Sequence, residues 1–203
     1  MHKRVSLYSF QAKEVVESLF EDGVYFINKE RSSFCLFNDL DTDGFTRCYN
    51  FIVKKMDELL KKKRNKEIVY PIWAWYKWEG KRKPTPLHNK QYEGMYRIEL
   101  EIDKEDALFT DFDLFSFCLN DPYLPSSVED LYEHREKHFS ISPELTYESY
   151  NRMLEIYRKE DTDFTYATNK TSIQATFWKL HLKDVKRIVY IGKNKNTVIY
   201  KKQ

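Results

Sequence analysis

Glycine is scarce in this 203-residue chain: there are five, and each stands alone. No glycine-rich loop exists to wrap backbone N–H groups around a phosphate, which disfavours P-loop and Rossmann modes of nucleotide binding. Cysteine is scarcer. Cys35, Cys48 and Cys118 are odd in number and far apart, which implies neither a disulfide framework nor a zinc site. Cys118 sits in an apolar run and reads as a small core residue. No apolar stretch approaches the roughly 18 residues of a membrane helix. The opening Met1-His2-Lys3-Arg4 leads into no signal-like segment. The expected setting is therefore a reducing cytoplasm, with no membrane partner. Charge of one sign is lacking too. Lys and Arg number 34 against 32 Asp and Glu, a net of +2, so only local clusters such as Lys61-Lys62-Lys63-Arg64 can speak for an anionic partner.

What the chain does have is rings. Aromatic residues make up 16% of it. All the tryptophans fall in two segments: Trp73, Trp75 and Trp78 in one, Trp178 in the other. Both segments alternate in the period-two manner of strands. Rings of that size either fill a core or line a recess.

The remaining pattern predicts an α+β fold: a single domain over 1–203, a mostly antiparallel sheet and flanking helices, with the polar segment 126–160 a candidate insertion. A first strand over 5–10 leads into a helix over 11–22 with Ala12, Val15, Val16, Leu19 and Phe20 at helical spacing. Gly23 is placed to end it, and Val24–Ile27 reads as a strand. Residues 38–44 form a turn-rich loop and 45–62 an amphipathic helix. The ring-bearing strand follows, then a polar loop over 79–93. Residues 95–102 alternate as a strand with one wet face. Asn120-Asp121-Pro122 closes a short helix over 114–119. Ser126 or Ser127 is placed to cap one surface helix and Pro143 to start another. Strands over 172–180, 185–191 and 196–201 finish the chain, too closely spaced for helical crossovers.

Several clusters carry possible chemistry. Asp39-Leu40-Asp41-Thr42-Asp43-Gly44 matches the first half of a calcium loop. Position twelve is Asn50 rather than Glu, and a polar turn before a helix accounts for the same letters. His134 and His138 share a helix face but lack a third ligand; His88 and His181 are single. No metal is expected. Asp111 and Asp113 are candidates for acid–base work or for capping the following helix, a role that suits Asp113. Lys77, Lys81, Arg82 and Lys83 beside Trp73, Trp75 and Tyr76 combine cations with stacking surface, as single-stranded nucleic acid or a dinucleotide requires. The same residues also fit a packed core with a solvated loop. Gln174 is a polar residue on an apolar strand; buried, its amide needs partners, and a ligand amide or ribose hydroxyl is one candidate.

Five segments together carry a likeness: Leu7-Tyr8-Ser9-Phe10-Gln11, Gly23, Pro71-Ile72-Trp73-Ala74-Trp75, Thr110-Asp111-Phe112-Asp113 with Leu119-Asn120, and Ile173-Gln174-Ala175-Thr176-Phe177-Trp178. In these the chain resembles a family of bacterial and phage proteins known only as a domain of unknown function. More distantly it resembles the ADP-ribosyltransferase fold. In that fold an opening strand with a ligand-contacting residue precedes a helix, and a late strand carries the catalytic Glu. That resemblance implies a cleft for NAD formed by Ser9, Gln11, Trp73, Trp75 and Gln174. Here Gln174 or Thr176 stands at the Glu position, and no His or Arg stands in Tyr8-Ser9-Phe10-Gln11. Either another carboxylate, such as Asp111, serves catalysis beside Gln174, or the fold binds without transferring. Two other classes stand beside this reading. One is a non-catalytic nucleotide or nucleic-acid module built on Lys77, Lys81, Arg82 and Lys83. The other is a phage- or defence-related interaction protein that uses its Tyr-rich helices near 123–166.

Overall fold

The computed structural model describes residues 3–32, 42–82, 90–136, 141–157 and 170–203. Lys83, Cys35, Asp39, Asp41, His88 and His138, each named above, lie outside the described residues.

A seven-stranded sheet organises the chain. Its strands are β1 (Arg4–Gln11), β3 (Ile72–Lys77), β4 (Tyr96–Asp103), β5 (Leu108–Asp111), β6 (Ile173–Phe177), β8 (Val185–Ile191) and β9 (Asn196–Lys201). They lie in the order β5-β6-β3-β1-β4-β8-β9, and every pairing is antiparallel. Two short strands, β2 (Val24–Tyr25) and β7 (Leu180–His181), pair in a separate two-stranded sheet. The helices are α1 (Lys13–Asp22), the single turn α2 (Lys29–Ser32), α3 (Thr42–Leu59), α4 (Phe112–Asn120), α5 (Val128–Glu136) and α6 (Pro143–Ser149). A 3₁₀ turn over Tyr150–Leu154 follows α6.

Strand alternation sorts the sheet into two faces. One is aliphatic. Leu7, Ile98, Ile173, Ala175 and Ile188 are fully buried there, and α1 lays Val15, Val16 and Leu19 against them. The other carries the rings. Over its β5-β6-β3 end, α3 packs Cys48, Phe51, Ile52 and Met56, and α4 packs Leu114, Phe115 and Cys118, in one buried cluster that includes Leu108 and Trp178. The sheet thus has α1 on one side, reaching toward β9 through Phe20 and Tyr200, and α3 with α4 on the other.

Local signals set the element ends. Gly23 adopts φ 72°, and its N–H bonds the carbonyl of Leu19, closing α1 as a left-handed cap. Ser142 caps α6, with Pro143 in its first turn. Ser127 Oγ accepts the N–H of Asp130 at the start of α5. Lys63 Nζ donates to the carbonyls of Asp57 and Glu58, satisfying the last turn of α3.

Several expectations need correction. The helix expected from residue 45 begins at Thr42, so Gly44 is helical and the second half of the calcium-loop pattern is helix rather than ligand loop. Gly44 is required by close approach instead: a Cβ there would sit 2.0 Å from the carbonyl oxygen of Leu119. Phe20 and Ala12, assigned from periodicity to the apolar face of the first helix, are exposed. The strand expected over 24–27 is two residues long. The wet face expected of β4 is not simply wet, because Arg97 on it is only 9% exposed.

Candidate functional site on the ring face

Cross-strand register aligns one row of residues over the whole sheet. Thr110 pairs with Gln174, Gln174 with Trp75, Trp75 with Tyr8, Tyr8 with Glu99 and Glu99 with Arg187. Directly opposed residues project to the same side, so these side chains all stand on the ring face. In the neighbouring row Trp73 pairs with Thr176, and Arg97 pairs with Phe10 and Val189.

The rings form a cluster. Trp75 meets Trp78 edge-on at 4.7 Å and Phe112 at 5.0 Å. Trp73 packs deeper, against Phe115 at 4.9 Å and Tyr49 at 5.7 Å. Trp75 is half-buried and keeps part of its surface free. The hairpin bearing Trp78 turns through Glu79 at φ 46° and Gly80 at φ 73°, with Trp78 and Lys81 exchanging backbone bonds of 2.8 Å. Ser172 Oγ accepts the Glu79 N–H at 3.0 Å, which fixes the hairpin to the start of β6.

Unpaired polar atoms gather on this face. Trp73 Nε1, Arg97 Nε, Thr110 Oγ1, Gln174 Oε1 and Arg187 Nε are each shielded from water and without a hydrogen-bond partner. Each such atom costs about 1–3 kcal/mol unless something pairs it. They come from β3, β4, β5, β6 and β8, and none from the aliphatic side. The acceptor at Gln174 lies beside Trp75 and the hydroxyl at Thr110 one strand further out, while the two guanidinium donors lie toward β8. Arg97 also pairs with Glu99 at 2.5 Å. The phenol of Tyr8 is pushed above its ordinary range by burial and then by the Glu99 carboxylate, with Arg97 opposing.

The sequence-derived site residues separate into groups. Gln174, Trp75 and Trp73 share the ring face. Ser9 and Gln11 do not: Ser9 is fully buried on the aliphatic side, where its Oγ donates to the Trp73 carbonyl at 2.6 Å and accepts from Gln11 Nε2 at 2.6 Å. The single cleft expected from these residues is therefore divided by the sheet. Nor is there a gap between the ring strand and the Gln strand, which are hydrogen-bonded neighbours; any ligand lies over their common face.

Asp111 is also differently used. It is fully buried and caps α4, its Oδ1 accepting from the N–H groups of Asp113 at 2.9 Å and Leu114 at 3.0 Å. The capping role assigned to Asp113 belongs to Asp111, because the strand runs on through 111 and the helix starts at once. Lys77 ends β3 beside the rings. Lys81 and Arg82 are exposed, with the Arg82 guanidinium 5.7 Å from the centre of the Tyr76 ring.

Tyr8, Arg97, Glu99 and Thr110 were not singled out from sequence as site residues. Alternation in β1 and β4 gives the parity of each, but only the non-local pairing β5-β6-β3-β1-β4 brings them into line. Among the described residues, no group of His, Cys, Asp and Glu is arranged to hold a metal ion. Cys48 and Cys118, from α3 and α4, are buried free thiols that interact. Cys118 is pushed up by Cys48 and by burial.

These features define an α+β protein with an antiparallel sheet, helices on both faces and a polar, ring-lined patch on one of them. The chain belongs to the family described as a domain of unknown function (DUF3841), whose model matches residues 6–186. Comparison with curated proteins and with solved structures gave no match. Among the described residues, no helix is long and apolar enough to cross a membrane.

Proposed function

We propose that this chain binds NAD or a related dinucleotide over the ring face, with its planar base against Trp75 and its ribose at Gln174 and Thr110. The observation that carries the reading is a run of orphaned polar atoms beside a partly free tryptophan: Gln174 Oε1 on the adjoining strand and Thr110 Oγ1 on the strand after it. A ribose hydroxyl or a carboxamide supplies the missing donor, and the indole supplies stacking area. Arg97 and Arg187 stand along the same face, two and three strand spacings from Trp75. That is about 10–15 Å at the usual separation of strands, which suits the phosphates of an extended dinucleotide.

The ADP-ribosyltransferase likeness gains support from adjacency: the opening strand, the ring strand and the Gln strand are successive neighbours. Transfer is a different matter. An oxocarbenium-like ribose calls for a carboxylate beside it. Asp111 is committed to α4, and Glu99 lies three strand spacings from Gln174, about 14 Å. The proposed activity is therefore binding, with little or no transfer.

Calorimetry with NAD tests this. Heat saturating below millimolar ligand is expected, lost in Gln174→Leu; no heat at several millimolar NAD refutes it. Gln174→Glu sharpens it, since restoring the carboxylate should yield slow release of nicotinamide.

A second reading, single-stranded nucleic acid on the same rings, is favoured by exposed Lys81 and Arg82 on the hairpin that presents Trp78. A short oligonucleotide whose affinity falls steeply with salt and in Lys81→Ala/Arg82→Ala separates the two.

A further inference from the structure

A second recess lies where β1 begins and β4 and β6 end, about 13 Å along β6 from Gln174 at the usual rise per strand residue. It has a volume of about 550 Å³, within the range of small-molecule sites. Arg4, Lys62, Lys63, Lys179 and Lys183 line it, against Asp103, Asp106 and Asp184. Most of these charges are already matched. Arg4 pairs with Asp184 at 3.0 Å, Lys62 pairs with Asp106, and Lys63 is held by the carbonyls that end α3. Lys179 and Lys183 make no ion pair among the described residues, so the surplus is positive.

Two atoms in the wall want opposite things. Trp178 is 4% exposed and its Nε1 has no partner; an indole N–H can only donate. Asp106 Oδ1 is likewise shielded and unpartnered; a carboxylate can only accept. The Arg64 guanidinium, 5.0 Å from the centre of the Trp178 ring, braces that indole. A ligand that completes this wall presents anionic oxygen to Trp178, to Lys183 and to Lys179, whose ammonium otherwise rests 5.7 Å from the centre of the Phe26 ring, and a hydroxyl to Asp106. Fully deprotonated anions such as sulfate fail the second condition and neutral sugars the first.

We infer that this recess binds a phosphorylated ribose, carried either by a free nucleotide or by the phosphorylated end of an RNA strand. The inference does not depend on the ring-face reading, since the two sites share no side chain.

The test uses the full chain and adenosine 5′-monophosphate, a 5′-phosphorylated RNA hexamer and inorganic phosphate as probes. The indole N–H resonance of Trp178 is assigned by its loss in Trp178→Phe. Adenosine 5′-monophosphate or the hexamer should shift that resonance. Lys179→Glu with Lys183→Glu should weaken binding at least tenfold, while Gln174→Leu leaves it unchanged. A hexamer more than tenfold tighter than the mononucleotide identifies an RNA end; equal affinities identify a free nucleotide. If neither probe moves the Trp178 signal at millimolar concentration, the inference is wrong. It is equally wrong if inorganic phosphate binds as well as the nucleotide, or if the lysine reversals have no effect.

Discussion

The two faces of β6 are built from the same five residues and obey different rules. Ile173, Ala175 and Phe177 point to the aliphatic side and are at most 2% exposed. Gln174 and Thr176 point to the ring side, where Thr176 finds only a long bond to the Leu108 carbonyl at 3.4 Å and Gln174 leaves an acceptor unpaired. One side is closed by contacts that fill space. The other keeps polar atoms that a stability-optimised sheet would not retain. The difference teaches where to look for chemistry, because unpaired groups that cost free energy on folding are explained most simply by something that binds them.

Substitutions can break this contrast. On the aliphatic side, Leu7→Ala should cost about 3 kcal/mol in urea unfolding, the usual scale for a cavity at a fully buried leucine, with NAD heat per folded molecule unchanged. On the ring side Gln174→Leu should do the reverse: stability held or raised by about 1 kcal/mol as the orphan is removed, and NAD heat lost. Comparable destabilisation by both changes would erase the distinction between the faces.

Asp111 tests the boundary between structure and chemistry. Asp111→Ala should cost about 1–2 kcal/mol through the lost cap, and Asp111→Asn much less, since Asn caps as well. Full stability in Asp111→Asn with abolished NAD binding would instead return that carboxylate to the site. At the hairpin, Glu79→Gly should stabilise by about 0.5 kcal/mol, because a left-handed backbone is strained for Glu and free for Gly, partly offset by chain entropy. The smallest effect concerns His181 at the second recess. Burial, then the charge of Lys183, pushes its imidazole below the ordinary value of 6.5. The folded state therefore resists its protonation more than the unfolded chain does. The stability this gives is complete above about pH 6.5 and is lost as pH falls below it. Melting temperatures between pH 7.5 and 5.5 should fall less steeply in His181→Gln.

Much of the fold was legible because its signals are local. Gly23 after an apolar-periodic helix and Pro143 after Ser142 state their roles within a few residues, and the alternation of 95–102 is plain. Membership of a domain family of unknown function, read from short segments spread over the chain, also held. What the sequence could not supply was pairing. That β6 inserts between β5 and β3 is a contact more than sixty residues long, and only it makes Thr110, Gln174 and Trp75 neighbours. Ser9 and Gln11 were grouped with Gln174 by adjacency in the motif, although their parity in β1 sends them to the other side from Tyr8. Asp111 was misread because a strand that ends directly in a helix leaves one residue to serve both.

One edge of the sheet has a consequence for handling this protein. β5 is short and backed by the turn over Tyr150–Leu154, but β9 is the last strand on its side, and Val198 and Ile199 on it are exposed. Among the described residues nothing pairs its outer edge, and such a row of backbone donors and acceptors invites another chain to zip on. The lysines at 201 and 202 at its end work as gatekeepers by mutual repulsion between copies. Neutralising them, or raising salt, should be the quickest route from dispersed molecules to stacked ones.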